Sequence, residues 1–399
     1  MKTDLKKSDG IDPRESMRVL PKWMQPLLTD LTGKALPEEE APFRWSWWMR
    51  LAVAWLVLLG SVTAGGALLT AEPIYWLLLP MTWLFTVSSL RAFQTTFVHH
   101  ASHGNLSGRA WLDKVLGEIM STVTWIVTLR EYTEGHLKGH HPRTGLLDGA
   151  GPDDPDLWFI VNDMGFKPGG SRRDYWRQLI CLLISPGFHG RFFLARTRAN
   201  LARATAGRRL TAAAYVAVLF GLVALTGAWL QLLWVLLIPG IWLYQVSGVL
   251  QVLTEHSWVR DTSGKISKKE VSARLTIGRF VGSRVPDPSQ PRSQRILGWI
   301  RWTLGMIFWH LPVRLFILPG DLPQHDLHHR KQRADWANPA YARRDDAMQP
   351  SAGWPAYQEV WGLVAALNQT FDQLGSISES SELGKPLTYQ QRDELMLGM

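Results

Sequence analysis

The chain has 399 residues, a single cysteine and a formal charge of +9 at pH 7. With only Cys181 available, an internal disulfide and a multi-thiolate metal cluster are both excluded. The basic excess would suit nucleic acid, but no zinc finger, glycine-rich RNA loop or aromatic-basic platform occurs, so a surface facing anionic headgroups is the better account and no nucleic-acid partner is expected.

Residues 1–45 are polar and carry Pro at 13, 21, 26, 37 and 42, which reads as a cytoplasmic lead-in with one short surface helix near Pro26–Leu31. No apolar core closely follows Met1, so no cleaved leader is expected and the first membrane helix is left to direct insertion. Three stretches then lack any charge: Leu51–Thr70, Ile74–Leu90 and Leu210–Thr254. A membrane helix needs roughly 20 mainly apolar residues, so the third stretch is long enough to cross twice, turning near Thr226-Gly227. The expectation is four transmembrane helices in two hairpins, at 51–70 and 74–98, then 210–226 and 229–254. Trp47, Trp48, Trp76, Trp229 and Trp234 fall near the expected ends, as headgroup-level tryptophans do. The turns at Ala71-Glu72 and Gly227 hold no Lys or Arg, whereas basic residues crowd Arg44–Arg50, 145–210 and 260–345. By the positive-inside rule the termini and the large polar segments face the cytoplasm.

Between the hairpins, Ala110–Arg130 is apolar, but its uncharged core, Ile119–Leu129, is too short to span and reads as an interfacial or partly buried helix. Gly145–Asp156 and Met164–Gly170 are turn regions, and Ser171–Arg196 holds a short apolar run, Leu179–Ile184, between basic flanks suited to the membrane surface. Asp261–Arg295 is polar and reads as a cover over part of a site. Ile296–His310, broken by Arg301, is a second interfacial element, and Pro312 and Pro319 interrupt the chain after it. Beyond Arg330 the composition is that of a soluble tail, with one amphipathic stretch at Tyr357–Phe371. The fold class is therefore an all-α integral membrane protein with interfacial helices and a cytoplasmic histidine-rich cap. It divides into a lead-in (1–45), a membrane domain (46–340) and a C-terminal tail (341–399).

Nine of the twelve histidines lie in three clusters: His99, His100 and His103; His136, His140 and His141; and His325, His328 and His329. His256 stands alone after the last span. His99 and His103 share one helix face, as do His136 and His140. A buried imidazole needs its own hydrogen-bond partner, so clustering of this density points to metal ligation rather than to structural histidines. Zinc typically takes four ligands; a surplus of imidazoles suits two metals, and open imidazole sites suit iron that activates dioxygen. No Glu-x-x-His motif is present, which disfavours the soluble carboxylate-bridged di-iron bundle.

The three boxes, together with Thr254-Glu255-His256, resemble those of the membrane fatty acid desaturase and hydroxylase superfamily, which includes the membrane alkane hydroxylases. The resemblance covers roughly residues 45–340. It implies two non-haem irons held at the cytoplasmic ends of four membrane helices by His99, His103, His136, His140, His141, His256, His325, His328 and His329. His100 would then orient a neighbouring ring or lie at the surface, and Glu134, Glu255 and Asp326 are candidates to orient ligand rings or else are merely solvated. Lys138 and Arg330 are candidates for an anionic headgroup, carrier or redox partner, or are ordinary surface charges. His189 and His310, without partners at ligand spacing, read as structural.

The family chemistry implied is O2-dependent attack on an unactivated C–H bond of a lipid, most often a fatty acyl chain. O2 would be the co-substrate, and electrons would come from a separate protein of ferredoxin, rubredoxin or cytochrome b5 type with its reductase. The chain itself carries no flavin, nicotinamide or iron–sulfur motif. Box one, His-His-Ala-Ser-His-Gly, resembles many bacterial acyl desaturases, which points to a bacterial inner membrane, and the two-residue gap in Gln-His-Asp-Leu-His-His also looks desaturase-like. The three residues between His136 and His140, with Gly139 before the paired histidines, look closer to the alkane hydroxylases. Ser257-Trp258 departs from the Tyr-Gly expected there in hydroxylases. Desaturation is the leading reading, with fatty acyl or alkane hydroxylation as monooxygenase the alternative and oxidation of a carotenoid or other specialised lipid a third. A zinc hydrolase leaves several histidines unexplained, and a transporter predicts charge within the spans, where only Arg91 occurs.

Overall fold

A computed structural model describes residues 12–140, 159–257 and 267–376, apart from the side chains at 138–140, 268 and 271. After a short helix α1 (Gln25–Thr32), four helices are long and apolar enough to cross a membrane: α2 (Trp47–Thr70), α3 (Pro73–Ser102), and, further on, Ala206–Thr226 and Trp229–Glu255. The expected spans lie within four residues of these bounds, because a span of uncharged side chains specifies a lipid-facing helix without help from distant contacts.

The helix α3 is the element that matters most for the site. It has 30 residues, about 45 Å of helix against a hydrocarbon core of about 30 Å. Its first half faces outward through Ile74, Leu77, Met81 and Phe85, while from Val87 on its side chains are covered by protein. The turn before box one, Phe93–Val98, is π-helical, a widening that often marks functional segments. In Trp229–Glu255 a longer π stretch surrounds Pro239, whose missing N–H removes one helical hydrogen bond.

Between the span pairs lie α4 (Ala110–Val123), the short α5 (Leu129–Glu134), and α6 (Arg172–Ile184) with α7 (Pro186–Leu201), bent by 62° at Ser185. The spans Ala206–Thr226 and Trp229–Glu255 follow as α8 and α9. Then come α10 (Lys268–Leu275), strand β1 (Gly278–Phe280), α11 (Arg292–Gly305), α12 (Leu311–Phe316), α13 (His325–Arg330), α14 (Pro339–Met348), strand β2 (Glu359–Trp361) and α15 (Leu363–Gly375). Of the segment read as a cover, the described part from Ser267 onward contains α10 and β1, which both pack against α13; residues 258–266, and the turn expected at 145–156, lie outside the described residues. The exposed Ile296, Ile300, Leu304 and Phe308 give α11 and the turn after it an apolar face.

The described polar segments 12–45 and 341–376 pack against each other and against the helices between them. Arg14 is fully buried and donates to Glu39 (2.8 Å), Gln25 and Thr29. Tyr341 donates to Glu39 (2.9 Å), and Lys34 pairs with Glu359. The strands β1 and β2 run parallel, with Gly278 opposite Glu359 and Phe280 opposite Trp361. The amphipathic C-terminal stretch forms α15, which buries Leu367, Phe371 and Leu374 in one cluster with Val249, Val252 and Leu253 of α9. Composition sets 341–399 apart as a tail; within it the described residues 341–376 pack against the helices that lead to the histidines.

Candidate metal centre

Four separate pieces of chain deliver the imidazoles. The helix α3 presents His99 and His100, with His103 at its C-cap. Beside it, α4 comes close because position 117 is glycine: a Cβ there would lie 2.8 Å from Leu129 Cδ2 and 3.1 Å from Ala101 Cβ. A capping box between Thr128 and Glu131 starts α5, satisfying N-terminal N–H groups, and the chain continues through a π turn carrying His136. His256 follows the end of α9, and α13 supplies His325, His328 and His329.

The rings converge in two groups. His99, His103, His136 and His328 form one, and His256, His325 and His329 the other, with the ligating atoms of each group within 4.8 Å of one another. In the first group Nε2 of His328 lies 2.9 Å from that of His99 and 3.1 Å from that of His103, and His103 lies 3.1 Å from His136. In the second, His325 and His329 approach to 3.0 Å. The ring centroids of His325 and His328 are 5.9 Å apart, so the groups are neighbours.

Hydrogen bonding does not account for this. A neutral ring nitrogen either carries a proton or offers a lone pair, and His328 Nε2 faces two other Nε2 atoms at once. Two nitrogens bound at right angles to one ion, each at about 2.1 Å, lie about 3.0 Å apart, and the observed separations sit at that edge length. The donor set therefore fits metal ions. Its electrostatics agree: burial, then the neighbouring imidazoles, hold His325 and His328 well below the ordinary histidine range, keeping them in the neutral form that a metal requires. The Thr95 carbonyl accepts from His99 Nδ1 at 3.1 Å, which leaves the Nε2 lone pair facing the group.

Of the other candidates, the His140 side chain, the Lys138 side chain and His141 lie outside the described residues. His100 belongs to neither group, although its ring lies 5.1 Å from that of His99 and 5.6 Å from that of His328. Its Nε2 meets Asp321 at 2.8 Å and its ring stacks on Trp336 with centroids 5.0 Å apart, so it braces α3 against the chain before α13. Glu255 is beside the second group, its Oε1 3.3 Å from His325 Nε2. Asp326, fully buried, faces away from the rings and accepts three hydrogen bonds from Arg343 at 2.7–3.0 Å. Glu134 pairs with Arg130 one turn back at 3.4 Å, about half exposed; α5 turns it outward. Arg330 is held by the Pro355 carbonyl (2.8 Å) and the Tyr357 ring, a structural anchorage. His189 lies between Gln245 (2.7 Å) and the Leu183 carbonyl (2.9 Å), while His310 accepts from the Gly282 N–H at 3.1 Å and bonds Ser283.

Several contributors had no visible signal in the sequence. Asp321 accepts from Thr96 (2.8 Å) as well as from His100. Arg91, 1% exposed within α3, donates to Gln94 (2.8 Å) and Gln251 (2.7 Å), and Gln251 in turn donates to Glu255. A polar chain thus runs from Tyr244, which donates to Gln94, to the second histidine group. Only the charge of Arg91 inside an apolar span hinted at it.

Residues 74–312 match the family model described as Fatty acid desaturase. No curated protein matches the chain. The family match spans more than half of the sequence and takes in boxes one and two and His256, while box three lies beyond it and joins through the packing of α13. With four membrane-crossing helices above two imidazole groups, the chain belongs to the fatty acid desaturase family, within the membrane desaturase and hydroxylase superfamily.

Proposed function

We propose that the protein is an O2-dependent desaturase of a fatty acyl chain, using two irons at the paired histidine groups. The observation that carries this reading is the meeting of four and three imidazoles at the protein-covered end of α3, directly below its lipid-facing half. A di-iron centre bound there supplies the activation of O2 and the removal of hydrogen from an unactivated C–H bond. His99, His103, His136 and His328 would hold one ion, and His256, His325 and His329 the other; His140 and His141 are proposed to complete the set.

The residues around the groups have their own tasks. Thr95 fixes the tautomer of His99 through Nδ1, and Glu255 places a carboxylate oxygen against His325 Nε2. Arg91, through Gln251, orients that carboxylate. Phe93, Phe97 and Val98, all buried, keep water from the helix faces beside the rings, as oxidative chemistry on an apolar chain requires. The acyl chain would enter from the bilayer along α3. Electrons would come from a separate carrier protein of ferredoxin, rubredoxin or cytochrome b5 type and its reductase, docking on the polar side. The basic segments favour that side, and both termini, being cytoplasmic in a bacterial inner membrane.

Hydroxylation is the second reading, favoured by the three residues between His136 and His140. Expression in a host of defined lipid composition under ¹⁸O2, followed by mass spectrometry, separates the two. A lipid lighter by two hydrogens and unlabelled supports desaturation; a labelled hydroxyl supports the monooxygenase. Purified protein containing zinc and no iron would overturn both.

A further inference from the structure

Trp336, 8% exposed, lies just beneath the surface turn that follows α13. Its indole offers a donor and no lone pair, so it cannot hold a metal. Yet it is packed into the histidines. Its ring stacks on His100 with centroids 5.0 Å apart and planes 18° from parallel, and His100 in turn stacks on His99 at 5.1 Å and 17°. His100 also meets the His328 ring edge-on at 5.6 Å. His99 and His328 both belong to the first group. Three rings in offset contact therefore run from just under the surface to that group.

Both inner rings of this stack are tied in place. Trp336 Nε1 donates to the Asn105 carbonyl at 2.9 Å, and Phe97 meets the indole edge-on at 5.7 Å. The residues after it are clamped to the start of α2: Arg50 Nε donates to the Ala337 carbonyl at 2.9 Å, and Asn338 accepts from the Trp45 N–H at 2.8 Å and donates to the Trp45 carbonyl at 2.9 Å. His100 is fixed by Asp321 at 2.8 Å. On the outer side Asn105 Nδ2 donates to the Gln332 carbonyl at 3.3 Å. That contact joins two surface turns, on which Gly104, Arg333 and Asp335 are exposed. Bracing of α3 accounts for the hydrogen bonds, but it gives no reason for two successive near-parallel stacks.

We propose that Trp336 and His100 are the path by which electrons enter, and that the one-electron carrier protein docks over the turns of Asn105 and Arg333. The inference rests on the di-iron reading given under Proposed function. Removal of two hydrogens from an acyl chain by O2, with O2 reduced to two waters, consumes two electrons and two protons from outside. In each transfer the reduced carrier loses one electron and a ferric ion held at the first group gains it, so two transfers serve one turnover. Neither ring is itself oxidised or deprotonated. Tunnelling slows steeply with the width of the gap it crosses, and the packed rings narrow that gap. Trp336 and His100 are thus positioning residues, acting through His99 and His328.

The test is flash photolysis of the purified, iron-loaded full chain. In a Cys181→Ser background, which removes the one native cysteine, a ruthenium polypyridyl label on Arg333→Cys is photoreduced. The decay of its absorbance then times the electron's passage to the protein. Trp336→Leu and His100→Leu should each slow that decay by about ten-fold, because the smaller side chain leaves a gap where a ring stood. Trp336→Phe keeps a ring and should recover most of the rate. From a label on Arg130→Cys, at the exposed end of α5 nearest box two, the same variants should leave the rate unchanged. Stopped-flow reduction by a soluble [2Fe–2S] ferredoxin should show the same dependence on Trp336. A purely structural role would lower the thermal midpoint without changing these rates in the folded protein. Rates from position 333 indifferent to both Leu variants, or slowed equally from both labels, would overturn the proposal. So would ferredoxin reduction untouched by Trp336→Leu, which would place entry elsewhere on the surface. Elemental analysis beforehand separates the two readings: protein without iron sinks the di-iron reading and this path with it, whereas iron present with indifferent rates sinks the path alone.

Discussion

Removing Arg343 should destabilise the protein through Asp326, the residue between His325 and Leu327 on the helix that carries box three. Arg343 donates to Asp326 from Nε at 2.9 and 3.0 Å and from Nη2 at 2.7 Å, and from Nη1 to Glu359 at 3.0 Å. The side chains of Arg343 and Asp326 are 5% and 0% exposed, so solvent screening does not soften the pair. Burial works against the Arg343 charge, but Asp326 and then Glu359 outweigh it and hold the guanidinium above its ordinary range. Arg343→Met leaves a carboxylate buried without its partner, which costs about 3–5 kcal/mol, while Glu359 keeps Lys34. In a thermal unfolding scan at fixed rate that is a fall in midpoint on the order of 5 °C or more, and metal content should fall with it because α13 loses its brace. The double variant Asp326→Leu/Arg343→Met removes both charges and should recover most of the loss, since apolar replacement of a buried pair is often neutral or better. If the single variant unfolds like the parent, or the double variant is as damaged as the single, the stranded charge is not what governs this helix.

Gly320→Ala should cost roughly 2 kcal/mol or more, because Gly320 has φ +62° and an added Cβ would lie 2.0 Å from Thr96 Oγ1. Gly353→Ala has the same strain (φ +79°) with its nearest contact a flexible Lys269 Nζ at 3.4 Å, so its thermal midpoint should drop less; equal drops would refute the clash. His328→Ala should lower metal content by about one ion per chain, because His328 bridges two of its three partners in the first group; unchanged stoichiometry by elemental analysis would count against that grouping. Acid should destabilise the protein in part through His310, whose imidazole burial holds below its ordinary range. The unfolded chain then binds that proton first, so the contribution is complete above about pH 6.5 and is lost as pH falls toward the folded value. In His310→Asn the side-chain oxygen can still accept from Gly282, and the stability-against-pH slope measured between pH 8 and 5 should flatten by up to about 1.4 kcal/mol per pH unit. An unaltered slope would show that His310 does not titrate in this range.

The four spans were legible in the sequence because each rests on local composition: an uncharged run long enough for the bilayer needs no distant partner to be a helix. The histidine spacing was legible for the same reason, since residues four apart on a helix share a face wherever that helix lies. Tertiary structure alone decided that His328 joins His99, His103 and His136 while its neighbours His325 and His329 turn to His256. It also decided that Asp326 answers to Arg343, that His100 answers to Asp321 across more than two hundred residues, and that residues 341–376 pack against α9 and α13. Those pairings depend on which helix faces meet. A face is chosen by the summed burial of many side chains drawn from the whole chain, and no window of the sequence holds that sum.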